Sequence, residues 1–408
     1  MDHIDLNYDL IYENNLDTDK FARMLDDPTQ CYKFYWLEAI ITLMATTDSD
    51  LTFDSIINEM ICNAWYSVTK YHLRLGPVIM GKSENFLEHA VKIVNEDNEL
   101  PQQASKEDIL LSILRNEETL KKDKQNLTVY VPYRLLSSFL DGIRGGDRIW
   151  GQRQRLIAYI DEINKSNPLP YTIIDGAGLE KKIHIHPDWK QFILDNYPVI
   201  QSWIKLKKVC FLQDRNPGVP GIIYKLDAES DGIRKLNNVR VLWKSTAVIG
   251  KISIRDIYSG SELDTNKFDL DHFVPWSYVT NDELWNLTPM DSQLNSSKSN
   301  SLPTWKRYFP EFANNQYHLY KMIFAYPEIR KLFEKCRRDN LNAIWASETL
   351  FISGNSEEQF KNVLEHNLRP IYDMAYLQGY SLWQFDEQSS ALLVDDRSQE
   401  NYKVNANH

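Results

Sequence analysis

Hydrophobic residues recur at three- and four-residue spacing through most of the first 120 positions, which predicts helices. Segment 34–45 (FYWLEAIITLMA) is apolar almost all round, as in a buried helix, and segment 53–73 keeps an apolar stripe on one face. Segments 83–96 and 106–122 are amphipathic and begin close to serines that can cap a helix. We therefore expect a mainly helical region over residues 20–120.

The pattern changes after residue 126. LTVYVPYRLL (127–136), IIDGAG (173–178) and KKIHIHPDW (181–189) predict short strands and turns. Residues 186–213 again have a helical pattern, with a break expected at Pro198. Two prolines and two glycines in RNPGVPGIIYKL (215–226) make this segment the best linker candidate.

The last third of the chain combines short strands with further helices. We expect a helix over about 230–248, a strand-turn-strand over KISIRDIYSGSEL (251–263), and helices from Pro303 to about 384. The polar tail from residue 388 is expected to be frayed. These shifts suggest boundaries near residues 215 and 310, and thus three regions: 1–215, 216–310 and 311–408.

Composition excludes several classes of protein. The 408 residues are 43% hydrophobic, enough for sizeable cores, and the net charge of −11 argues against non-specific coating of nucleic acid. No two of the four cysteines (Cys31, Cys62, Cys210, Cys336) form a CxxC pair, so zinc-ribbon sites are not expected. The acidic N-terminus and the lack of an eighteen-residue apolar run predict a cytoplasmic protein without membrane contact.

The segment KFDLDHFVPWSYVTNDELWNLTPMDSQLNSSKSNSLP (267–303) concentrates side chains with catalytic chemistry. His272 can act as a general base near neutral pH, and Asp271 offers a hard oxygen suited to Mg²⁺ or Mn²⁺. Neighbours on a strand point to opposite faces, so the pair can share a site only where the strand ends and the backbone turns. The following Phe-Val-Pro-Trp supplies that turn.

Two asparagines and a lysine follow at defined distances. Asn286 precedes LTPM, and its amide suits bracing one strand against another. Asn295 and Lys298 lie in DSQLNSSKSN, which can form a short helix that places them, with Ser299, on one face. That face can offer a neutral oxygen to a metal ion beside a cation.

The order strand, turn, strand, helix, carrying Asp-His, Asn and Asn, resembles the HNH or ββα-metal nucleases. Within that superfamily it is similar to the HNH module of the RNA-guided CRISPR effector nucleases, with the pattern Asp-x-Asp-His-x-x-Pro, Asn, Asn-x-x-Lys-Ser-x-x-x-Pro. The matching residues are Asp269, Asp271, His272, Pro275, Asn286, Asn295, Lys298, Ser299 and Pro303. The resemblance covers about fifty residues, and no RuvC-like half is found, so a stand-alone bacterial HNH nuclease of a restriction or anti-phage system is the better analogue.

The resemblance implies a role for each residue. His272 would be the general base, and Asn286, grouped with it in the catalytic set, would fix the loop that carries it. Asp271 and Asn295 would hold one divalent ion, Mg²⁺ or Mn²⁺. Lys298 would touch a phosphate, and Asp269 would orient a neighbour.

The chain departs from many such proteins at Tyr258-Ser259-Gly260, where a cysteine pair commonly sits. We therefore expect no structural zinc, with the module held by packing of Tyr258, Trp276 and Trp285.

The expected fold is mainly α with a small ββα-metal module, α+β overall. Residues 1–215 would serve recognition, partner binding or regulation, 216–310 would be the nuclease domain, and 311–408 a helical C-terminal segment. The expected function is a metal-dependent endonuclease acting on double-stranded DNA in defence against foreign DNA, with a protein partner or homodimer left open. Two alternatives stay open: a nuclease subunit silent until activated, and an inactive nucleic-acid-binding protein of the same fold.

Other features have simpler interpretations. His184 and His186 share a strand face but lack a third metal ligand. The basic runs KKDK (121–124) and KLKK (205–208) are expected to be solvated helix faces, with contact to a nucleic-acid backbone as the alternative. Trp36, Trp65 and Trp189 are expected in the core.

Overall fold

The computed structural model describes residues 16–77, 84–101, 104–140, 148–174, 176–227 and 234–385. Within these ranges the chain is mainly helical with three small sheets, which confirms the predicted fold class. No described helix is both long enough and apolar enough to cross a membrane. The chain divides into two compact units, residues 1–230 and 231–408.

The predicted domain boundaries do not coincide with this division. Residues 216–227 belong to the first unit, where Val219, Ile222 and Leu226 are buried. The boundary expected at residue 310 falls inside the helix Trp305–Ala325. The assignment of functions to the three predicted regions stays a prediction.

Within its described residues, the first unit is a helical body with one small sheet. Its helices are α1 (Thr18–Ala22), α2 (Tyr32–Met44), α3 (Phe53–Thr69), α4 (Phe86–Asn95), α5 (Lys106–Arg115), α6 (Glu117–Thr128), α7 (Val131–Arg134), α8 (Arg153–Asn164), α9 (Pro187–Asp195) and α10 (Tyr197–Arg215). The strands β1 (Leu51–Thr52), β2 (Tyr171–Ile174) and β3 (Lys182–Ile185) form an antiparallel sheet in the order β1-β3-β2.

Helix starts in this unit follow the capping rules. Asn85 begins α4 and Ser105 begins α5, each through a capping box in which a side chain three residues on bonds back to the cap. Ser83, the other serine start that the sequence suggested, lies outside the described residues.

The core of the first unit is aromatic. Trp36, Trp65 and Trp189 are all buried, as predicted. The Trp189 ring stacks on Phe21 at 5.2 Å between centroids, and Trp36 meets Phe53 edge-on at 5.3 Å. Because all three side chains are buried, none of these tryptophans is an exposed platform for base stacking.

The prediction of a strand at 127–136 was wrong. The segment instead ends α6, forms α7 and continues as a 3₁₀ helix over Leu135–Phe139. Pro132 lies in the first turn of α7, where its missing N–H costs no hydrogen bond. Val131 and Leu135, four residues apart, are both buried, which is helical spacing. The strands predicted around residues 173 and 183 are confirmed.

The expected helix break at Pro198 lies two residues too late. The chain breaks at Asn196, and Pro198 occupies the first turn of α10. The Asn196 side chain donates to the Phe192 carbonyl at 2.9 Å, which satisfies a group at the end of α9.

The basic runs are not simply solvated faces. Lys124 and Lys208 are buried, and their ammonium groups pair with Asp54 at 2.7 Å and Glu38 at 2.8 Å. Each run therefore contributes one lysine to the interior, because a buried charge needs a partner. His184 is exposed and pairs with Asp50 at 2.8 Å, while His186 caps α9.

The second unit combines helices with two two-stranded sheets within its described part. Its helices are α11 (Asn237–Gly250), α12 (Trp276–Val279), α13 (Ser292–Lys298), α14 (Trp305–Ala325), α15 (Pro327–Asn340) and α16 (Glu357–Leu377). Strands β4 (Asp269–His272) and β5 (Leu287–Met290) pair antiparallel, and β6 (Leu302–Pro303) pairs in parallel with β7 (Leu382–Trp383). The ring of Phe273, which follows β4, packs on Phe312 of α14 at 4.4 Å.

Segment 251–263 does not form the expected strand-turn-strand. It contains only an isolated bridge between Arg255 and Glu262. The Asp256 carboxylate accepts hydrogen bonds from the main-chain N–H groups of Tyr258 and Ser259, which builds a turn instead of a ladder. The polar tail from residue 388 lies outside the described residues.

Candidate active site

Asp271 and His272 end strand β4 and line one cleft. In the β4–β5 ladder Asp271 faces Thr288 and His272 faces Leu287. Both side chains are buried, yet both border a cavity of about 290 Å³ together with Asn295. The structure thus brings together the predicted base and both predicted metal ligands.

Asn286 joins the two strands just beyond the ladder. Its side-chain oxygen accepts from the Val274 N–H at 2.9 Å, and its side-chain nitrogen donates to the Val274 carbonyl at 2.8 Å. The Asn286 carbonyl also accepts from the Phe273 N–H at 2.9 Å. Asn286 is fully buried, so it cannot meet a substrate and instead fixes the loop that follows His272.

Helix α13 brings Asn295 to the cleft. Asp291 caps the helix by accepting from the N–H groups of Gln293 and Leu294. One turn later, the Asn295 side-chain nitrogen lies 3.5 Å from the Asp269 carboxylate. The expected role of Asp269 in orienting a neighbour stays a prediction. The Asn295 side-chain oxygen has no hydrogen-bond partner among the described residues.

The carboxylate of Asp271 has two buried partners. The Tyr258 hydroxyl donates to one oxygen at 2.6 Å, and the Lys298 ammonium donates to the other at 2.8 Å. Lys298 also donates to the His272 carbonyl at 2.7 Å and is fully buried. Burial and the neighbouring Asp271 charge raise the pKa of Tyr258, so its hydroxyl stays a donor.

The burial of Lys298 bears on its expected contact with a phosphate. In this structure its ammonium neutralises Asp271 and does not border the cleft. The contact stays a prediction.

The His272 ring is held from one side. Its Nε2 atom lies 3.1 Å from the Asn281 carbonyl oxygen and 3.1 Å from an Asp282 carboxylate oxygen. Both neighbours are acceptors, so the neutral ring carries its proton on Nε2 and leaves Nδ1 as the basic atom. Burial lowers the pKa of His272, the Asp282 hydrogen bond opposes that shift, and Arg234 adds to it.

Arg234 covers the basic atom of His272. Its guanidinium nitrogen Nη2 lies 3.4 Å from Nδ1, and its Nε donates to Asp282 at 2.9 Å. Its guanidinium carbon Cζ lies 5.0 Å from the centroid of the Trp276 ring. Trp276 thus supports an arginine in the cleft. Tyr258 and Trp285 are both buried, and Tyr258 also bonds to Asp271.

Asp282 connects these groups. It accepts from the Lys235 main-chain N–H at 2.8 Å as well as from Arg234. Burial alone would raise the pKa of Asp282, but hydrogen bonds from His272 and Lys235 hold it below its ordinary value. Asp282 is therefore charged at neutral pH and fixes both the histidine ring and the arginine.

Sequence reasoning missed Arg234, Asp282 and the hydrogen bond from Tyr258. Arg234 is 38 residues from His272 in sequence, outside any motif. Asp282 lies in TNDEL, where an aspartate is also an ordinary turn residue. No local pattern identifies such a long-range partner.

The residues at the cleft have the chemistry to hold a divalent ion. Asp271 and Asn295 offer a carboxylate and a neutral amide oxygen to one cavity, the donor set that Mg²⁺ and Mn²⁺ prefer. Within the described ranges no three His, Cys, Asp or Glu side chains cluster as a metal site.

Comparison with known proteins identifies the same segment. Residues 256–304 match the family model described as HNH endonuclease. No curated protein and no solved structure matches the chain. The matched range contains Asp269, Asp271, His272, Asn286 and Asn295, but not Arg234. Residues 256–304 are therefore an HNH endonuclease domain, and the protein that carries them is a nuclease of the hydrolase class.

Proposed function

We propose that the protein is a metal-dependent endonuclease that hydrolyses phosphodiester bonds in DNA, with His272 as its general base. The observation that carries the proposal is the meeting of His272, Asp271 and Asn295 at one cleft. These are the base and the two oxygen donors that this chemistry requires.

The residues around the cleft suggest how the reaction proceeds. His272 Nδ1 accepts a proton from the attacking water, whose oxygen bonds to phosphorus as the bond to the 3′ oxygen breaks. Asp282 and the Asn281 carbonyl keep the ring oriented while it gains charge. A divalent ion held by Asp271 and Asn295 would stabilise the charge that develops on the leaving oxygen.

Arg234 suits contact with the scissile phosphate. Its guanidinium borders the cleft, and guanidinium groups bind phosphate oxygens in bidentate fashion. When a phosphate attracts the guanidinium, the contact between Nη2 and His272 Nδ1 is released and the base becomes free.

A nuclease that is silent until activated is a second candidate. It is favoured by the state of the cleft, in which Arg234 covers the His272 base and Lys298 neutralises Asp271. An activating partner or the substrate itself would have to move Arg234. The role we propose for either form, defence against foreign DNA by a stand-alone bacterial nuclease, rests on the resemblance in the sequence.

Substrate and metal can be tested together. We would incubate the purified chain with supercoiled plasmid, linear duplex DNA, single-stranded DNA and RNA, each with Mg²⁺, with Mn²⁺ and with EDTA. We expect metal-dependent nicking of plasmid, because one such site cuts one strand. Cleavage that persists in EDTA would contradict the metal, and cleavage of RNA alone would contradict the DNA substrate.

A further inference from the structure

The first unit contains a cleft that the nuclease reaction does not use. It has a volume of about 570 Å³, within the range of small-ligand sites. One wall is the connection from α1 to α2, and the other is Tyr130 with α7 and the 3₁₀ helix that follows it. Trp150 completes the lining.

The cleft presents cations that form no close ion pair with a carboxylate of the described residues. The Arg134 guanidinium lies 5.5 Å from the Tyr130 ring and 5.2 Å from the Trp150 ring. These contacts orient it, yet no carboxylate among the described residues pairs with it. The Lys33 ammonium donates to the Asp26 main-chain oxygen at 3.2 Å, and burial lowers the pKa of Lys33. It too has no ion pair within the described part of the chain.

The acidic groups of the lining do not cancel this charge. Asp26 pairs with Lys207 at 2.9 Å, and the charges of Asp26 and Asp27 both act on Lys33. Two carboxylates therefore face three cations in the lining, Arg23, Lys33 and Arg134. An excess of cations over carboxylates in this lining, within a protein of net charge −11, indicates a site for an anion.

The cleft also offers aromatic faces and unused donors. The Tyr130 side chain is 51% exposed, so its ring is accessible to a second flat group. The Trp150 Nε1–H and the Ser138 hydroxyl are buried without a hydrogen-bond partner in the described structure. Trp150 itself is only 7% exposed, and a buried donor without a partner in a cavity wall can be satisfied by a polar ligand or by water.

We propose that this cleft binds a nucleotide, with the nucleobase against Tyr130 and the phosphates at Arg134 and Lys33. The nucleobase is a flat group that stacks on an aromatic ring, and the phosphates match the excess of cations in the lining. The same chemistry is present in a free nucleotide and in the end of a DNA strand.

Binding to the full chain in EDTA tests this proposal separately from nuclease activity. We would use calorimetry with the ribonucleoside triphosphates and monophosphates, with nucleosides, with inorganic triphosphate, and with 5′-phosphorylated single-stranded oligonucleotides. EDTA removes the metal from the nuclease cleft, so failure of the proposed nuclease function would leave this result unaffected. Free nucleotides and oligonucleotides distinguish the two sources of the ligand.

Two variants assign the binding to the cleft. Arg134→Ala is expected to weaken nucleotide binding by at least about tenfold, because a charged hydrogen-bond donor is lost. Tyr130→Ala is expected to weaken it by about fivefold or more, because stacking is lost. Both side chains are exposed, so both variants should fold, and Arg155→Ala, at an exposed arginine outside the cleft, should bind like the unmodified protein.

Three outcomes would overturn the proposal. They are no binding of any nucleotide or oligonucleotide at millimolar concentration, binding that neither variant changes, and equal affinity for inorganic triphosphate and for nucleotides.

Discussion

Removal of the Asn286 side chain is expected to destabilise the nuclease domain by freeing the loop after His272. The side chain bonds both the N–H and the carbonyl of Val274, at 2.9 and 2.8 Å. Both residues are fully buried, so water cannot replace either bond without opening the structure. Asn286→Ala therefore leaves two main-chain groups unsatisfied.

The size of the effect follows from those two groups. Each unsatisfied buried group costs about 1–3 kcal/mol, so the free energy of unfolding should fall by about 2–6 kcal/mol. For a unit of this size, a loss of that order lowers the melting temperature by roughly 5–20 °C.

Asn286→Asp sharpens the prediction. It keeps an oxygen that accepts from the Val274 N–H but places a second oxygen against the Val274 carbonyl. The buried carboxyl would be stable only when protonated, so its pKa in the folded state should rise above its unfolded value. The variant should then approach the stability of the unmodified protein at low pH and lose that stability as the pH rises through the raised folded-state pKa.

Thermal unfolding of both variants, followed by circular dichroism, is the assay. Asn266→Ala, at an exposed position, is the control and should change the free energy of unfolding by less than about 0.5 kcal/mol. If Asn286→Ala has the same melting temperature as Asn266→Ala, the Asn286 side chain does not hold the loop. If that variant is stable but inactive, Asn286 takes part in the chemistry instead.

Three further substitutions test other parts of the structure. Asp282→Asn should lower kcat about 10–100-fold. This is less than the loss of an orienting carboxylate usually costs, because the Asn281 carbonyl still accepts the Nε2 proton of His272. An unchanged kcat would contradict the orienting role of Asp282. Lys298→Met should lower the free energy of unfolding by about 3–5 kcal/mol by removing the partner of buried Asp271. Mg²⁺ should raise the melting temperature of Lys298→Met more than that of the control Lys306→Met, at an exposed position, because the ion would replace the lost partner of Asp271. Equal shifts in the two variants would count against Asp271 as a ligand. Burial lowers the pKa of Lys225 from 10.5 to about 7. Between pH 7 and 10.5 the unfolded chain therefore binds more protons than the folded chain, so the free energy of unfolding should rise with pH in this range. Lys225→Met should lose that slope, and a variant that keeps the same slope would contradict this.

The sequence was most informative where function depends on neighbouring residues. β4, β5 and α13 follow from a local pattern, and the hydrogen bonds between Asn286 and Val274 also lie within that pattern. The structural surroundings of Asp271 could not be read in the same way. Tyr258 and Lys298 reach it from 13 and 27 residues away, and only the folded chain brings them together.

The errors elsewhere have the same origin. Segment 127–136 is rich in residues that favour strands, but burial of Val131 and Leu135 on one side selects a helix. Lys124 and Lys208 look like surface charges until Asp54 and Glu38 are seen beside them. In each case a contact distant in sequence decides the outcome.

If His272 is the base of a metal-dependent nuclease, its removal should abolish nicking, whereas removal of another histidine should not. We would measure the nicking of supercoiled plasmid by His272→Ala and by His184→Ala, in Mg²⁺ and in EDTA. His184 is an exposed histidine that pairs only with Asp50 among the described residues, so its loss should leave nicking unchanged. We expect metal-dependent nicking by His184→Ala and no nicking above background by His272→Ala. Equal nicking by the two variants would contradict the role of His272 as the base.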